Sequence, residues 1–145
     1  MVVVSETPDG LLDTNIVLHA QTHDSLSEEC RRFLAALERG ELRARVEPLV
    51  LHELSYALAR YAKQMSRPDI AEYLISMLRW PGVVGDKDGM IDALERWHQT
   101  PGLGFVDAYL SALANREGRV VFTKNVRDFV AQNVDVPDPL PEPTP

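Results

Sequence analysis

Three carboxylates of this sequence interrupt largely apolar segments. Asp13 interrupts the run LLDTNIVL, Glu53 lies within PLVLHELSYAL, and Asp107 lies within GLGFVDAYLSALA. Acids that are far apart in the chain can act at one site if the fold brings them together.

Each carboxylate also has an ordinary explanation. Asp13 could cap a following helix, although a short apolar lead-in is unusual before a cap. Glu53 could face solvent, because His52 beside it also interrupts the apolar stripe. Asp107 could be an early-helix residue that the helix dipole favours. The three positions together are more informative than any one of them.

Short apolar runs alternate with longer amphipathic runs along the chain. The short runs predict strands at 11–12, 42–46, 82–86 and 119–123, with a further short strand at 134–136. The amphipathic runs predict helices at 25–39, from Pro48 onward, and at 67–80, 90–99, 104–118 and 125–133. Because parallel neighbours need crossover connections, this alternation predicts an α/β sandwich of three layers, with a short central parallel sheet and helices on both faces.

The predicted sheet gives three polar residues a common location. Asp13, Asp86 and Thr123 each follow a different predicted strand. The carboxyl ends of parallel strands meet at one edge of a sheet, where open α/β folds place their ligand crevices. We therefore expect these side chains to converge.

Local signals mark several helix ends. Ser25 and Glu28 have the spacing of a capping box, and Gly40 provides a stop for the same helix. Ser66 and Asp69 can cap the helix that begins at 67. The helices are also expected to bury apolar stripes, and the expected core residues are Cys30, Phe33, Leu34, Leu37, Leu51, Leu54, Leu58, Tyr61, Phe105, Val106, Leu110 and Leu113.

Length and composition indicate one globular domain. The chain has 145 residues, of which 45% are hydrophobic, enough for a substantial core. Residues 10–136 form the expected domain, preceded by an extension at 1–9 and followed by a proline-rich tail at 137–145. The single Cys30 has no disulfide partner and fits a reducing cytoplasm. The apolar stretches are too short for a bilayer and the start lacks a signal-peptide pattern, so we expect a cytoplasmic protein without a membrane contact.

The charge balance limits how the chain could bind nucleic acid. Lys and Arg total 15 against 22 Asp and Glu, which gives a net charge of −7. A general basic field is therefore excluded, and a nucleic-acid role requires local basic patches or bound metal. Six basic residues could provide such contacts, with a solvated helix face as the ordinary alternative: Arg43, Arg45, Arg60, Lys63, Lys124 and Arg127.

Four segments together resemble a known family. LLDTNIVL, PLVLHEL, FVDAYLSALA and VVFTKNVRDF, in this order, resemble the PIN-domain nucleases, and most closely the VapC-type toxin ribonucleases of bacterial and archaeal toxin–antitoxin pairs. The resemblance covers residues 10–136. It implies a metal-dependent endoribonuclease, the toxin of a type II pair, with Mg²⁺ or Mn²⁺ as cofactor.

The resemblance assigns roles to individual residues. The metal-binding acids of the family match Asp13, Glu53 and Asp107. A fourth acid normally follows the last core strand within T-x-D/N-x-x-D/E-F, where this chain has Asn125 and then Asp128. Asp128 is thus the fourth catalytic and metal-binding candidate, acting directly or through water, with a supporting role as the alternative. Supporting polar positions match Thr14, Asn15, Thr123 and Asn125, and Lys124 and Arg127 border the implied pocket as RNA-binding candidates.

The implied chemistry agrees with these residue types. Four clustered acids repel one another, and a divalent cation restores the charge balance. Bound ions lower the pKa of a coordinated water and offset charge on the transition state, and a pair of them would lie about 3.5–4 Å apart. By resemblance to related metal nucleases, the products carry a 5′-phosphate and a 3′-hydroxyl.

The resemblance also implies partners. These are an RNA substrate, a cognate antitoxin whose carboxyl-terminal segment enters the acidic groove, and a second copy of the chain in a homodimer. The helices at 48–64 and 67–80 are the expected surfaces for these protein contacts, although amphipathic helices more often pack in the core.

Other interpretations remain open from the sequence. A haloacid-dehalogenase-like phosphohydrolase with Asp13 as nucleophile would explain a strand-end Asp and the segment GDKDG, although DTNIV lacks the second Asp of D-x-D-x-T. A receiver-like signalling module would use Asp13 and Lys124, but it lacks the expected acidic pair. A PIN domain that only binds RNA or a partner is the third alternative. His19, His23, His52 and His98 are expected to be surface or packing residues, with His52 beside Glu53 as the exception to test.

Overall fold

The structure is a computed structural model and describes residues 9–62 and 65–145. The predicted α/β class is confirmed, with a short parallel sheet of three strands and seven helices within these ranges. No helix of the described residues is long and apolar enough to cross a bilayer. The elements follow the order β1 (Gly10–Leu11), α1 (Thr14–Ala20), α2 (Ser27–Glu38), β2 (Ala44–Arg45), α3 (Pro48–Tyr61), α4 (Arg67–Leu78), β3 (Val83–Val84), α5 (Lys87–Gln99), α6 (Phe105–Glu117) and α7 (Val126–Val130).

The chain divides into two compact units, a first unit of Met1–Lys87 and a second unit of Asp88–Pro145. The sheet lies in the first unit, with its strands in the order β1-β2-β3 and all pairs parallel. Gly10 is in register with Ala44, which in turn is in register with Val83. Because β1 and β3 run in the same direction, the segments that follow them, with Asp13 and Asp86, leave the sheet at the same edge.

The helices of the first unit pack around this sheet and against one another. Helix α1 contacts both α2 and α3, while α4 contacts α3 and β3. The expected apolar stripe of α3 is confirmed at Leu51, Leu54 and Leu58, which are fully buried. Tyr61 was expected in the same stripe, but its side chain is 58% exposed. It is the last residue of α3 and lines a cleft that is open to solvent.

Two predicted helix ends are confirmed. Helix α4 begins with the predicted capping box, in which the Asp69 amide donates to Ser66 Oγ and the Ser66 amide donates to Asp69 Oδ2. These hydrogen bonds also hold the pKa of Asp69 below its ordinary value. The residue that follows the Arg39 cap of α2 is Gly40, with a φ of 73°, a conformation that glycine adopts without a Cβ clash.

The predicted capping box of Ser25 and Glu28 is wrong. Helix α2 begins at Ser27, and no side chain caps its first turn. Asp24 explains the later start, because its Oδ1 accepts a hydrogen bond of 2.8 Å from the Leu26 amide. The Asp24 amide in turn donates to Ser27 Oγ at 2.9 Å. Side chains such as Asp offer the backbone these local bonds in competition with a helix.

The second unit has a small apolar cluster of Ala114, Phe129 and Val134, against which Val121 and Val136 pack. Helix α6 buries Phe105, Ala108 and Ala112, so its buried face is rotated away from the predicted one. Val106 and Leu110, expected inside, are 46% and 41% exposed. The prediction is confirmed at Phe105, but the rest of the buried face consists of small side chains and not of the larger ones that the pattern favoured.

The predicted buried strand at 119–123 is wrong, as is the short strand at 134–136, since neither segment is a strand in the described structure. The two segments are linked by a hydrogen bond of 3.1 Å from the Val121 amide to the Asp135 carbonyl. A single hydrogen bond between two segments does not form the repeated pairing of a β-sheet. Val121 packs on the apolar cluster, while its neighbours Val120 and Phe122 are 44% and 64% exposed. Thr123 therefore does not follow a strand.

Gly82 lies where the surrounding backbone leaves no room for a side chain. A Cβ there would clash with the Leu42 carbonyl oxygen and lie 2.8 Å from Leu37 Cα. We predict that Gly82→Ala lowers the free energy of unfolding by about 1–3 kcal/mol or more, because backbone atoms must move to admit the methyl group. Urea denaturation measures this loss. Gly10→Ala is the matched control, since a Cβ there meets no atom of the described residues within 4 Å; equal losses in both variants would contradict the prediction.

Candidate functional site

Asp13 lies at the amino terminus of α1, immediately after the chain leaves β1 and Leu12. Its backbone is extended, with φ −89° and ψ 148°, as expected of a capping position. However, its side chain accepts no capping hydrogen bond from the helix. The exposed carboxylate thus keeps its acceptor capacity for solvent or a ligand, and capping does not explain its presence.

The two polar residues after Asp13 have opposite environments. Thr14 is 1% exposed, and its Oγ1 meets no hydrogen-bond partner among the described residues. Buried hydroxyl groups normally have such a partner. Asn15 is exposed and faces a cleft. An unsatisfied buried hydroxyl beside an exposed carboxylate is more typical of a binding site than of a packed core.

A cleft of about 390 Å³ opens in the first unit between α1, α3 and the turn that joins α1 to α2. It brings together two predicted site residues, Asn15 and Glu53, and it also contains groups that the sequence did not single out as a site. Its lining consists of Asn15, Leu18, His19, Thr22, Asp24, Glu53, Tyr56, Ala57 and Tyr61.

Asp24 organises one wall of the cleft. Its Oδ2 lies 2.8 Å from His19 Nδ1 and 3.0 Å from Thr22 Oγ1, while its Oδ1 accepts the Leu26 amide. The hydrogen bond from His19, followed by the one from Leu26, holds the pKa of Asp24 well below its ordinary value of 3.8. Because the ionised carboxylate can only accept, His19 Nδ1 is the donor. The Nε2 atom of His19 is thus the ring nitrogen left for other contacts.

Arg31 fixes the same wall from α2. Its Nε donates to the Ala20 carbonyl at 3.0 Å, and a terminal nitrogen donates to the Thr22 carbonyl at 2.6 Å. These carbonyls lie at and just beyond the end of α1, where a helix leaves acceptors without intrahelical partners. Arg31 therefore ties the end of α1 and the following turn to α2.

Asp107 lies in the first turn of α6, in the second unit. Its side chain is half-buried. Its carbonyl accepts a hydrogen bond of 2.8 Å from Ser111 Oγ, so this contact involves the backbone and not the carboxylate. The position is one that the helix dipole favours for an acid, and the ordinary explanation given above applies to it.

Asp128 is exposed on α7 and interacts with Asn125, which precedes it by three residues. Asn125 Nδ2 donates to Asp128 Oδ2 at 2.9 Å, and the Asn125 amide donates to Thr123 Oγ1 at the same distance. This local arrangement links Thr123, Asn125 and Asp128 in one turn. Asp128 also lines a smaller cleft of about 170 Å³, together with Thr100, Pro101, Gly102, Leu103 and Ala131.

The basic candidates differ in their contacts. Lys124 Nζ forms an exposed ion pair of 3.1 Å with Asp138 Oδ1. Arg127 is exposed on α7. Arg60 lies over the ring of Tyr61, 5.5 Å from its centroid. Lys63 lies outside the described residues.

The four predicted acids are divided between the units, with Asp13 and Glu53 in the first and Asp107 and Asp128 in the second. Among residues 9–62 and 65–145, no group of three or more His, Cys, Asp or Glu side chains is placed to hold a metal ion. The chemistry of the donors nevertheless fits Mg²⁺ or Mn²⁺, because all four are carboxylates. The four-acid metal site stays a prediction.

Comparison with known families matches the PIN domain over residues 10–133. The match covers most of the chain and includes all four acids, and the chain belongs to the PIN domain family. PIN domains are generally nucleases, which supports a hydrolase acting on nucleic acid. Neither the curated proteins nor the solved structures include a match to this chain.

The ion pair of His19 and Asp24 should make stability depend on acid pH. A carboxyl group whose pKa is lowered on folding contributes its full stabilisation above the ordinary pKa of 3.8, and the contribution is lost as pH falls below that value. We predict that Asp24→Asn lowers the unfolding free energy at pH 5, and that this difference from wild type shrinks at pH 3. Chemical denaturation at both pH values measures it.

A charge-matched control separates this effect from general acid denaturation. Glu142→Gln removes one carboxylate from the exposed tail and should leave the unfolding free energy close to that of wild type at both pH values. A difference between wild type and Asp24→Asn that is the same at pH 5 and pH 3 would show that the lowered pKa of Asp24 is not linked to folding.

Proposed function

We propose that this protein is a metal-dependent endoribonuclease of the VapC type, the toxin of a type II toxin–antitoxin pair. The observation that carries the nuclease assignment is the PIN domain match over residues 10–133. The ribonuclease and toxin assignments are supported by the order and spacing of the four segments that contain Asp13, Glu53, Asp107 and Asp128. The comparison itself extends no further than the family.

In this proposal the four acids hold Mg²⁺ or Mn²⁺. Asp13 is the strongest of them, since its exposed carboxylate is not used by the helix that it precedes. Glu53 follows it, because it is exposed and faces the cleft shared with Asn15. A bound divalent ion supplies a water of lowered pKa and offsets the charge that develops on the phosphodiester. The residues of the chain provide the ligands and orient the substrate.

RNA must be bound by local groups, because the protein carries a net charge of −7. Arg127 and Lys124 are the proposed phosphate contacts. The ion pair of Lys124 with Asp138 is exposed, and such pairs contribute only about 0–1 kcal/mol, so a phosphate can replace the carboxylate at low cost. Phosphate contacts of this kind position RNA without selecting its sequence.

Cleavage by the purified protein tests the function. We predict that the chain, freed from any partner, cleaves RNA with Mg²⁺ or Mn²⁺ and is inactive with EDTA. Loss of an outer-shell partner of a metal ligand already costs about 10–100-fold in metal affinity or activity, so Asp13→Asn, Glu53→Gln and Asp107→Asn should lower the rate by at least about 100-fold. Glu142→Gln in the exposed tail is the charge-matched control. Full activity of folded Asp13→Asn would contradict the proposal, and no cleavage of any RNA class by folded wild type would favour a binding-only PIN domain.

The same series decides the role of Asp128. If Asp128 is a ligand, Asp128→Asn weakens Mn²⁺ binding in calorimetric titration and lowers the rate as Asp107→Asn does, while Asn125→Asp is mild. If it only stabilises the turn with Asn125, stability falls by about 0.5–2 kcal/mol and the rate per folded molecule is unchanged. Unchanged Mn²⁺ affinity in Asp128→Asn would remove it from the ligand set.

The proposed protein partners are a second copy of the chain and an antitoxin that covers the acidic groove. Helix α3 supports a protein contact, because Leu49 in its first turn is a large apolar side chain that is 78% exposed. We predict a dimer by light scattering at micromolar concentration, and Leu49→Glu should shift it toward monomer. Monomer alone across this range in wild type would contradict the dimer.

A further inference from the structure

The cleft of the first unit presents aromatic surface to solvent. Tyr56 and Tyr61 both line it, and their side chains are 57% and 58% exposed. The ring of Tyr56 is contacted at its edge by His52, with ring centroids 5.6 Å apart and an interplanar angle of 73°. This contact restricts the orientation of Tyr56 while leaving more than half of its side chain accessible. Exposed, oriented rings are the usual platforms on which proteins stack unpaired bases.

The polar groups of the cleft suit an uncharged, hydrogen-bonding ligand. Asn15 offers an amide that can donate and accept, and His19 offers its Nε2. Both oxygens of Asp24 are already engaged by groups of the turn and α1. Glu53 and Asp24 make the cleft acidic, which disfavours a phosphate inside it. The edge of a nucleobase, with its mixed donors and acceptors, matches this lining.

Size and position point to the same ligand. A cleft of about 390 Å³ lies in the range of about 300–1,000 Å³ that is common for small-molecule sites, a size that suits a single base. It shares Asn15 and Glu53 with the proposed catalytic site. Arg60 lies over Tyr61 and places a positive charge beside the aromatic surface, where the backbone of a bound nucleotide needs a counter-charge.

We propose that this cleft binds one unpaired nucleobase of the RNA substrate, stacked on Tyr56 or Tyr61 and hydrogen-bonded to Asn15 and His19. The inference rests on the proposed ribonuclease function and names the part of the substrate that the site selects. The base belongs to a nucleotide close to the scissile phosphate, because Glu53 lies in both sites. The protein thereby selects single-stranded segments, since a paired base cannot enter the cleft.

A binding experiment without catalysis tests the subsite. The full chain, with its tyrosine rings isotopically labelled, is titrated in EDTA with nucleoside 5′-monophosphates and, separately, with ribose 5-phosphate, and followed by NMR. We expect base-containing ligands to shift the ring signals of Tyr56 and Tyr61, and ribose 5-phosphate to leave them unchanged. Equal shifts with both ligands, or none with either, would overturn the proposal.

A kinetic experiment tests the same subsite in the active protein. Stacking of one base on an aromatic ring corresponds to about a 5–150-fold change in affinity, so Tyr56→Ala or Tyr61→Ala should raise KM for single-stranded RNA by that factor and leave kcat close to wild type. Tyr56→Phe and Tyr61→Phe keep the rings and should raise KM less than the corresponding alanine variants do. Leu140→Ala, an exposed apolar residue of the tail, is the control for lost surface.

The outcomes separate the subsite from the proposed function. If wild type cleaves RNA, but both alanine variants keep the wild-type KM and the ring signals show no base-dependent shift, the ribonuclease function stands and the subsite proposal is overturned. If wild type cleaves no RNA but shows the base-dependent shifts, the ribonuclease proposal is contradicted and the cleft is still a nucleotide-binding site.

Discussion

Parallel pairing of the strands is the constraint on which the rest of the first unit depends. Since β1 and β2 run in the same direction, the helices that follow them, α1 and α3, both begin at the carboxyl edge of the sheet. The two helices then pack against each other. Asp13 at the start of α1 and Glu53 on α3 are consequently placed on neighbouring elements, although their positions in the sequence differ by 40.

Local interactions made much of this architecture predictable. Pro48 marked the first residue of α3, Gly40 marked the end of α2, and the pair Ser66 and Asp69 marked the start of α4, because each acts through its own backbone neighbours. The alternation of short apolar and longer amphipathic runs predicted the fold class, because parallel strands need crossover connections. Among the site candidates, Asn15 and Glu53 were identified from the sequence and share the cleft.

The features that could not be predicted depend on contacts between distant segments. An apolar run at 119–123 resembles a buried strand, but burial requires a partner on each face, and here Val121 packs inward while Phe122 is exposed. Tyr61 fits the period of the α3 stripe, which predicts a core residue, yet it ends the helix and lines the cleft. The pairing of His19 with Asp24 spans a helix end, where helical periodicity no longer applies. The sequence does contain a signal for this pairing, the spacing HxxTxD of His19, Thr22 and Asp24.

Arg31 influences the shape of the cleft although it does not line it. Its guanidinium fixes two carbonyls at the end of α1, and so it sets where Thr22 and His19 stand, although Arg31 itself is not part of the lining. The shape of the cleft therefore depends partly on α2, which carries Arg31. A substitution at position 31 during evolution would therefore change the shape of the cleft, and so the ligands that fit it, even if every side chain of the lining stayed the same.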